Sequence, residues 1–232
     1  MPTKRSTGTL ALVGGGEFRD ECTSFDGELL AASGGTEVVV LPTAAAYEHA
    51  ERVVERAAKH FAGLGATVRP LMVLHRTEAE DEANADVLRR ARFVYLADGS
   101  PLHLRSVLKG SPLYDALRET YERGAVVAAS GAGATLLCDP MVDPRGGAYT
   151  VGFGLVPNLA VFPYHGTAAG HLRERSIDLL PRTALLVGID EHTALVRDGD
   201  GSWRVAGEGV VTVYGDGEPE VFPAGDPVPL AR

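Results

Sequence analysis

At 232 residues, 45% of them hydrophobic, the chain is long enough to bury a sizeable core and is read as one domain rather than two. Lys+Arg 22 against Asp+Glu 31 gives a net charge of −9, which disfavours nucleic acid and anionic membranes as partners. Cys22 and Cys138 are isolated, fit neither a disulfide scaffold nor a metal site, and point to a reducing, cytoplasmic setting.

Residues 1–5 carry two basic side chains ahead of an apolar stretch at 10–13. That stretch is too short for a signal-peptide core and runs into Gly14-Gly15-Gly16-Glu17, so it is read as a strand. No run approaches the roughly 20 apolar residues of a membrane helix. Strands are predicted at 9–13, 37–41, 68–73, 92–97 and 125–129, nearly continuous apolar runs of the kind found in strands covered on both faces. Between them, Tyr47, Ala50, Val54, Ala57, Ala58 and Phe61 follow helical spacing and predict a helix over 47–62, stopped by Gly63 and Gly65. Ser111 as N-cap, Pro112 as first helical residue and Gly124 as stop delimit a second helix. A third is predicted over 168–180, closed by Pro181, and a buried strand over 184–189 follows it. Short runs at 194–197, 203–206 and 210–214 predict an antiparallel appendage, and the Pro- and Gly-rich tail 215–232 a surface loop.

The alternation predicts an α/β fold: a three-layer, mostly parallel sheet with helices on both faces, a core over about 8–197, and a small antiparallel extension with its tail over 198–232. Ligands of such sheets bind beyond the carboxyl ends of the strands, here at 14–17, 98–101 and 130–134.

The sharpest feature is Ala125-Val126-Val127-Ala128-Ala129-Ser130-Gly131-Ala132-Gly133-Ala134-Thr135-Leu136-Leu137. An apolar strand enters a turn of very small residues and leaves as a helix. A nucleophile elbow needs this composition, because its crest residue is strained and its neighbours must let chain segments approach. A tight strand-to-helix turn without chemistry has the same composition.

This elbow, together with Gly14-Gly15-Gly16-Glu17 and Ala97-Asp98-Gly99-Ser100-Pro101-Leu102, resembles the dipeptidase E and cyanophycinase family of serine peptidases, in order and spacing over about 10–196. The resemblance implies a class I glutamine amidotransferase-like fold and hydrolysis of aspartyl dipeptides or of the β-aspartyl-arginine units of cyanophycin. The family elbow reads roughly Gly-Thr-Ser-Ala-Gly-Ala. Here Ala132-Gly133-Ala134 match its end, Ser130 stands for the threonine, Gly131 for the nucleophilic serine and Ala129 for the leading glycine. Asp98 stands for the first of two glycines in the oxyanion loop, and Gly99 keeps the second.

By the same resemblance His165, in Val161-Phe162-Pro163-Tyr164-His165-Gly166, is the general base, and Glu191, with Asp190 in reserve, its acidic partner. The N–H groups of Gly99 and Ala132 form the oxyanion site, and Gly15, Gly16, Asp98 and Ser100 line the substrate pocket. Removing the nucleophile of a working triad lowers turnover by roughly a millionfold. A glycine at the elbow instead avoids about 1–3 kcal/mol of strain, so Gly131 favours stability over catalysis. His165, His171, Glu191 and His192 match no metal-ligand spacing, and neither metal nor other cofactor is expected. The expectation is a serine-peptidase-like protein without its nucleophile, holding a pocket for an acidic dipeptide or an amide-containing small molecule. A working hydrolase that uses Ser130, and a non-catalytic scaffold or homo-oligomeric partner, are the alternatives.

Overall fold

The computed structural model describes residues 7–230, so the start read at 1–5 and the last two residues of the tail lie outside the described residues. The five apolar runs are strands: β1 (Leu10–Val13), β2 (Glu37–Leu41), β3 (Thr67–Pro70), β4 (Phe93–Leu96) and β5 (Val126–Ser130). Short strands β6 (Cys138–Asp139), β7 (Met141–Val142), β8 (Tyr149–Thr150) and β9 (Val156–Pro157) follow. The remainder are β10 (Leu159–Phe162), β11 (Leu185–Ile189), β12 (Thr193–Arg197), β13 (Trp203–Gly207), β14 (Val210–Tyr214) and β15 (Glu220–Pro223). The helices are α1 (Thr23–Ser33), α2 (Ala50–Gly63), α3 (Arg76–Ala79), α4 (Glu82–Arg90), α5 (Pro101–Leu108), α6 (Pro112–Glu122), α7 (Ala132–Leu137) and α8 (Gly170–Asp178).

A seven-stranded sheet runs in the order β13-β12-β1-β5-β4-β2-β3. Its part from β1 to β3 is parallel, while β12 and β13 are antiparallel. Successive strand side chains point to opposite faces and so divide the core in two. Leu12, Leu41, Leu96 and Val127 pack with α4, α5, α6 and α7; Val13, Val40, Tyr95 and Val126 pack with α1 and α2. This is an α/β fold with helices on both faces, built on the continuous apolar strands read from the sequence.

The structure differs in several places from the single sheet and appendage read from the sequence. A second, six-stranded sheet runs in the order β15-β14-β11-β10-β6-β9. The antiparallel strands are shared out: β12 and β13 extend the first sheet, whereas β14 pairs with β11 in the second. Residues 220–223 of the tail, read as surface loop, form β15 against β14. The helix predicted over 47–62 begins only at Ala50, because Thr43–Ala45 is a 3-10 turn and His49 has φ 60°. Tyr47 therefore leaves the apolar face and is 76% exposed. No helix among the described residues is long and apolar enough to cross a membrane.

Candidate active site

The sheet order places β1 beside β5 and β5 beside β4, so the loops leaving their carboxyl ends meet. The loop after β10, in the second sheet, closes over them, with the Tyr164 N–H donating to the Gly14 carbonyl at 2.7 Å. The Gly14–Gly16 turn is tight for steric reasons. A Cβ on Gly15 would lie 2.3 Å from the Tyr164 ring, and one on Gly16 would lie 2.5 Å from His192 Nε2.

Gly131 joins β5 to α7 at φ 44°, ψ −99°, the strained crest that the small-residue run predicts. Its N–H donates to the Val13 carbonyl at 3.0 Å, which ties the crest to β1. Gly99, at φ 146°, follows β4, and a Cβ there would meet the Ala44 carbonyl oxygen at 2.3 Å. These two turns aim the N–H groups of Gly99 and Ala132 at one point, as an oxyanion site requires. That point is filled. Asp98 Oδ1 accepts from the Gly99 N–H at 2.6 Å and from the Ala132 N–H at 2.7 Å. The Tyr164 hydroxyl donates to Asp98 Oδ2. The Asp98 carboxylate also takes the room a side chain at the crest would need, since a Cβ on Gly131 would lie 2.1 Å from Asp98 Oδ1.

Glu17 lies beneath this carboxylate. Burial first, and then the Asp98 charge, hold its carboxyl above the usual carboxylate range. Its Oε1 accepts from the Asp98 N–H at 3.2 Å and its Oε2 from the Ser130 hydroxyl at 2.9 Å. Ser130 is fully buried and turned toward Glu17, one residue before the crest, so its hydroxyl lines neither cavity described below. Ser100, expected beside a substrate, instead caps α5 by accepting from the His103 N–H at 3.2 Å. Burial pushes the Cys22 thiol up to about 12 and the Cys138 thiol higher still, which leaves both as weak nucleophiles.

His165, in the loop after β10, packs against the second sheet. Its ring packs on Gly188 of β11, where a Cβ would lie 2.2 Å from Cδ2. Nε2 is hydrogen-bonded to the Tyr214 hydroxyl at 2.7 Å, and Nδ1 is 3.5 Å from Asp190 Oδ1. Burial lowers the imidazole below its ordinary value of 6.5, with Asp190 opposing and Arg173 assisting. The acid beside His165 is thus Asp190 and not Glu191. Because β11 ends at Ile189, the chain turns there, and the next two side chains diverge. Glu191 accepts from the Thr167 hydroxyl at 2.8 Å and faces a cavity on the far side of Tyr164.

Two cavities flank the crest, and Asp98, Gly99 and Tyr164 form the wall between them. One, of about 220 Å³, is lined mainly by apolar groups, among them Pro101, Ala132, Val142, Phe162 and Leu172. The other, of about 490 Å³, is polar and includes Gly16, Glu17, Arg19, Glu48, Arg56 and Glu191. Among the described residues no three His, Cys, Asp or Glu side chains form a group able to hold a metal ion. Glu17 and Tyr164 stand in segments the sequence singles out but receive no role of their own there, and Tyr214 is not singled out at all. Glu17 carries a signal there, a carboxyl ending a glycine turn at a strand terminus, whereas Tyr214 reads only as one more residue of a β run.

The chain is 27% identical to the solved structure of a peptidase from an acI-B1 Actinobacterium, with a TM-score of 0.88 and 97% of each chain covered. A cyanophycinase from Synechococcus elongatus is 29% identical over 158 residues, 62% of this chain, and the match spans about half of that protein, 48%. A cyanophycinase from Geminocystis herdmanii (strain PCC 6308) is 24% identical over 228 residues, covering 90% of this chain and 81% of that protein. The family model of peptidase family S51 matches residues 10–204, from β1 into β13, and so takes in every loop that builds the site; the chain belongs to peptidase family S51.

Proposed function

We propose that this chain is a non-hydrolytic member of its family, in which the peptidase cleft is kept as a binding pocket for a small molecule. The observation that carries this reading is the position of Asp98. Its Oδ1 takes both N–H groups that an acyl-transfer site needs for a developing oxyanion, at 2.6 and 2.7 Å. It does so above a crest without a hydroxyl, so neither attack nor charge stabilisation has a group left to perform it. The base is also withdrawn, since His165 Nε2 is held by Tyr214. The cavities on either side of Asp98 support a ligand role.

The test is hydrolysis of aspartyl dipeptides and of β-aspartyl-arginine by the purified chain, followed by amine release. No turnover above the uncatalysed rate is expected, and Ser130→Ala should leave the result unchanged. Turnover that disappears on Ser130→Ala would establish Ser130 as a nucleophile and overturn the proposal.

A further inference from the structure

The cavity on the α7 side of Asp98 has a chemistry of its own. Its walls are apolar, from Pro101, Ala132, Val142, Phe162 and Leu172, and it encloses about 220 Å³. One unpaired carboxylate, Asp98, stands in its wall. The other acid on its rim, Asp143, is already paired with the Arg145 guanidinium at 2.6 Å. No lysine, arginine or histidine lines the cavity.

Asp98 is satisfied in hydrogen bonds but not in charge. Its three donors, the Gly99 and Ala132 N–H groups and the Tyr164 hydroxyl, are all neutral. Burial and the adjacent Asp98 carboxylate push the Tyr164 phenol up, which keeps it a donor rather than an anion. Among the described residues no cationic side chain forms an ion pair with Asp98. An ionised carboxylate offers about four acceptor directions, so one on Oδ2 is unused. A negative charge in the wall of an apolar chamber is stabilised by a cation that brings its own apolar body. The Phe162 and Tyr164 side chains line the same cavity.

We infer that this chamber binds a small primary amine, its ammonium group on Asp98 Oδ2 and its hydrocarbon part among Val142, Phe162 and Leu172. The inference rests on the reading of the cleft as a binding pocket, and it replaces the acidic or amide ligand expected from the sequence with a cationic one. The charge of the wall makes that choice, because an anionic ligand would face Asp98 with no compensating cation in the chamber.

Isothermal titration calorimetry of the full chain with benzylamine, benzyl alcohol and benzoate tests it, since the three probes share a ring and differ in charge. Benzylamine should bind saturably and at least about tenfold more tightly than benzyl alcohol, the margin of a charge-assisted over a neutral hydrogen bond. Benzoate should give no binding. Asp98→Asn keeps an oxygen for the two N–H groups and should weaken benzylamine by about tenfold, with the alcohol unaffected. Ala168→Phe, which fills the chamber and keeps the charge, should abolish both. Benzoate binding as tightly as benzylamine, no binding of benzylamine to the parent chain, or an Asp98→Asn variant of unchanged affinity would each overturn the inference. Peptidase turnover in the parent chain would sink the non-hydrolytic reading and leave these binding results standing, so the two failures are told apart.

Discussion

Gly131 and Asp98 are coupled by space. A Cβ at 131 would lie 2.1 Å from Asp98 Oδ1, on a backbone whose φ of 44° L side chains rarely adopt. Gly131→Ser should therefore lower stability by about 1–3 kcal/mol from backbone strain, with displacement of Asp98 in addition, and should remain inactive. Gly131→Ser combined with Asp98→Gly relieves the overlap and uncovers both N–H groups, so denaturant melts should rank the double variant above Gly131→Ser alone. A single variant as stable as the parent would show that Asp98 does not stand over the crest. The crest itself was legible in the sequence, because a run of small residues between a strand and a helix leaves little else for the backbone to do. The destination of the Asp98 side chain was not. Its partners are the adjacent Gly99, then Glu17 and Ala132 brought near by the order of the first sheet, and Tyr164 brought by the second sheet.

His165 gives a residue-scale dependence on pH. Its folded value lies below the ordinary 6.5, so as pH falls through that range the unfolded chain takes up a proton that the folded chain resists. Its contribution is therefore fully present above about pH 6.5 and is lost as pH falls toward the lower folded value. His165→Gln should flatten this part of the profile in urea melts between about pH 5 and pH 8. Glu17 and Asp26, raised by burial, act with the opposite sign, so the comparison is of parent with variant at each pH. A variant profile with the parent's slope would mean that His165 titrates normally.

At the scale of elements, β11 is the seat of the imidazole. Gly188 lies in the strand, and a Cβ there would come within 2.2 Å of His165 Cδ2. Gly188→Ala should cost about 1–3 kcal/mol as overpacking, and His165→Ala should remove most of that penalty, giving a clear coupling energy in a double-mutant cycle. Additive effects would place the ring elsewhere. The elements that escaped the sequence reading have local physical causes. Helix α1 buries Phe25, Asp26, Leu29 and Ser33, a mixed face in which a carboxyl and a hydroxyl interrupt the apolar stripe. Strands β6 to β9 are two residues each, shorter than any alternation can reveal. Strands β1, β2, β4 and β5 announced themselves because both their faces are covered, while β3 is the largely exposed edge strand and stops at Pro70, short of the run read to 73. The allocation of the later hairpins to two sheets depended on long-range pairing that local pattern does not encode.

At the scale of the whole molecule, the candidate site lies where the two sheets meet. Asp98 follows a strand of the first sheet and Tyr164 one of the second, so their hydrogen bond joins the sheets directly above the crest. The apolar core beneath is shared in the same way, with Leu12 and Val127 of the first sheet in one cluster with Val161 and Val187 of the second. The family was legible from the strand-end segments 14–17 and 97–102 and the elbow, whose order and spacing in this chain resemble the family's even where Asp98 and Gly131 depart from its residues.

Asp98 reaches the paired N–H groups as part of the same chain, so no molecule has to be gathered from solution to fill them. A tethered group of this kind acts at an effective concentration of the order of millimolar even on a short flexible link, and a rigidly held one exceeds that. A free carboxylate metabolite, or the carboxylate product of a neighbouring reaction, must outcompete an intramolecular rival that never dissociates. On the proposed reading of the cleft as a binding pocket, Asp98 thereby shields the paired N–H groups from anions in solution before any ligand arrives.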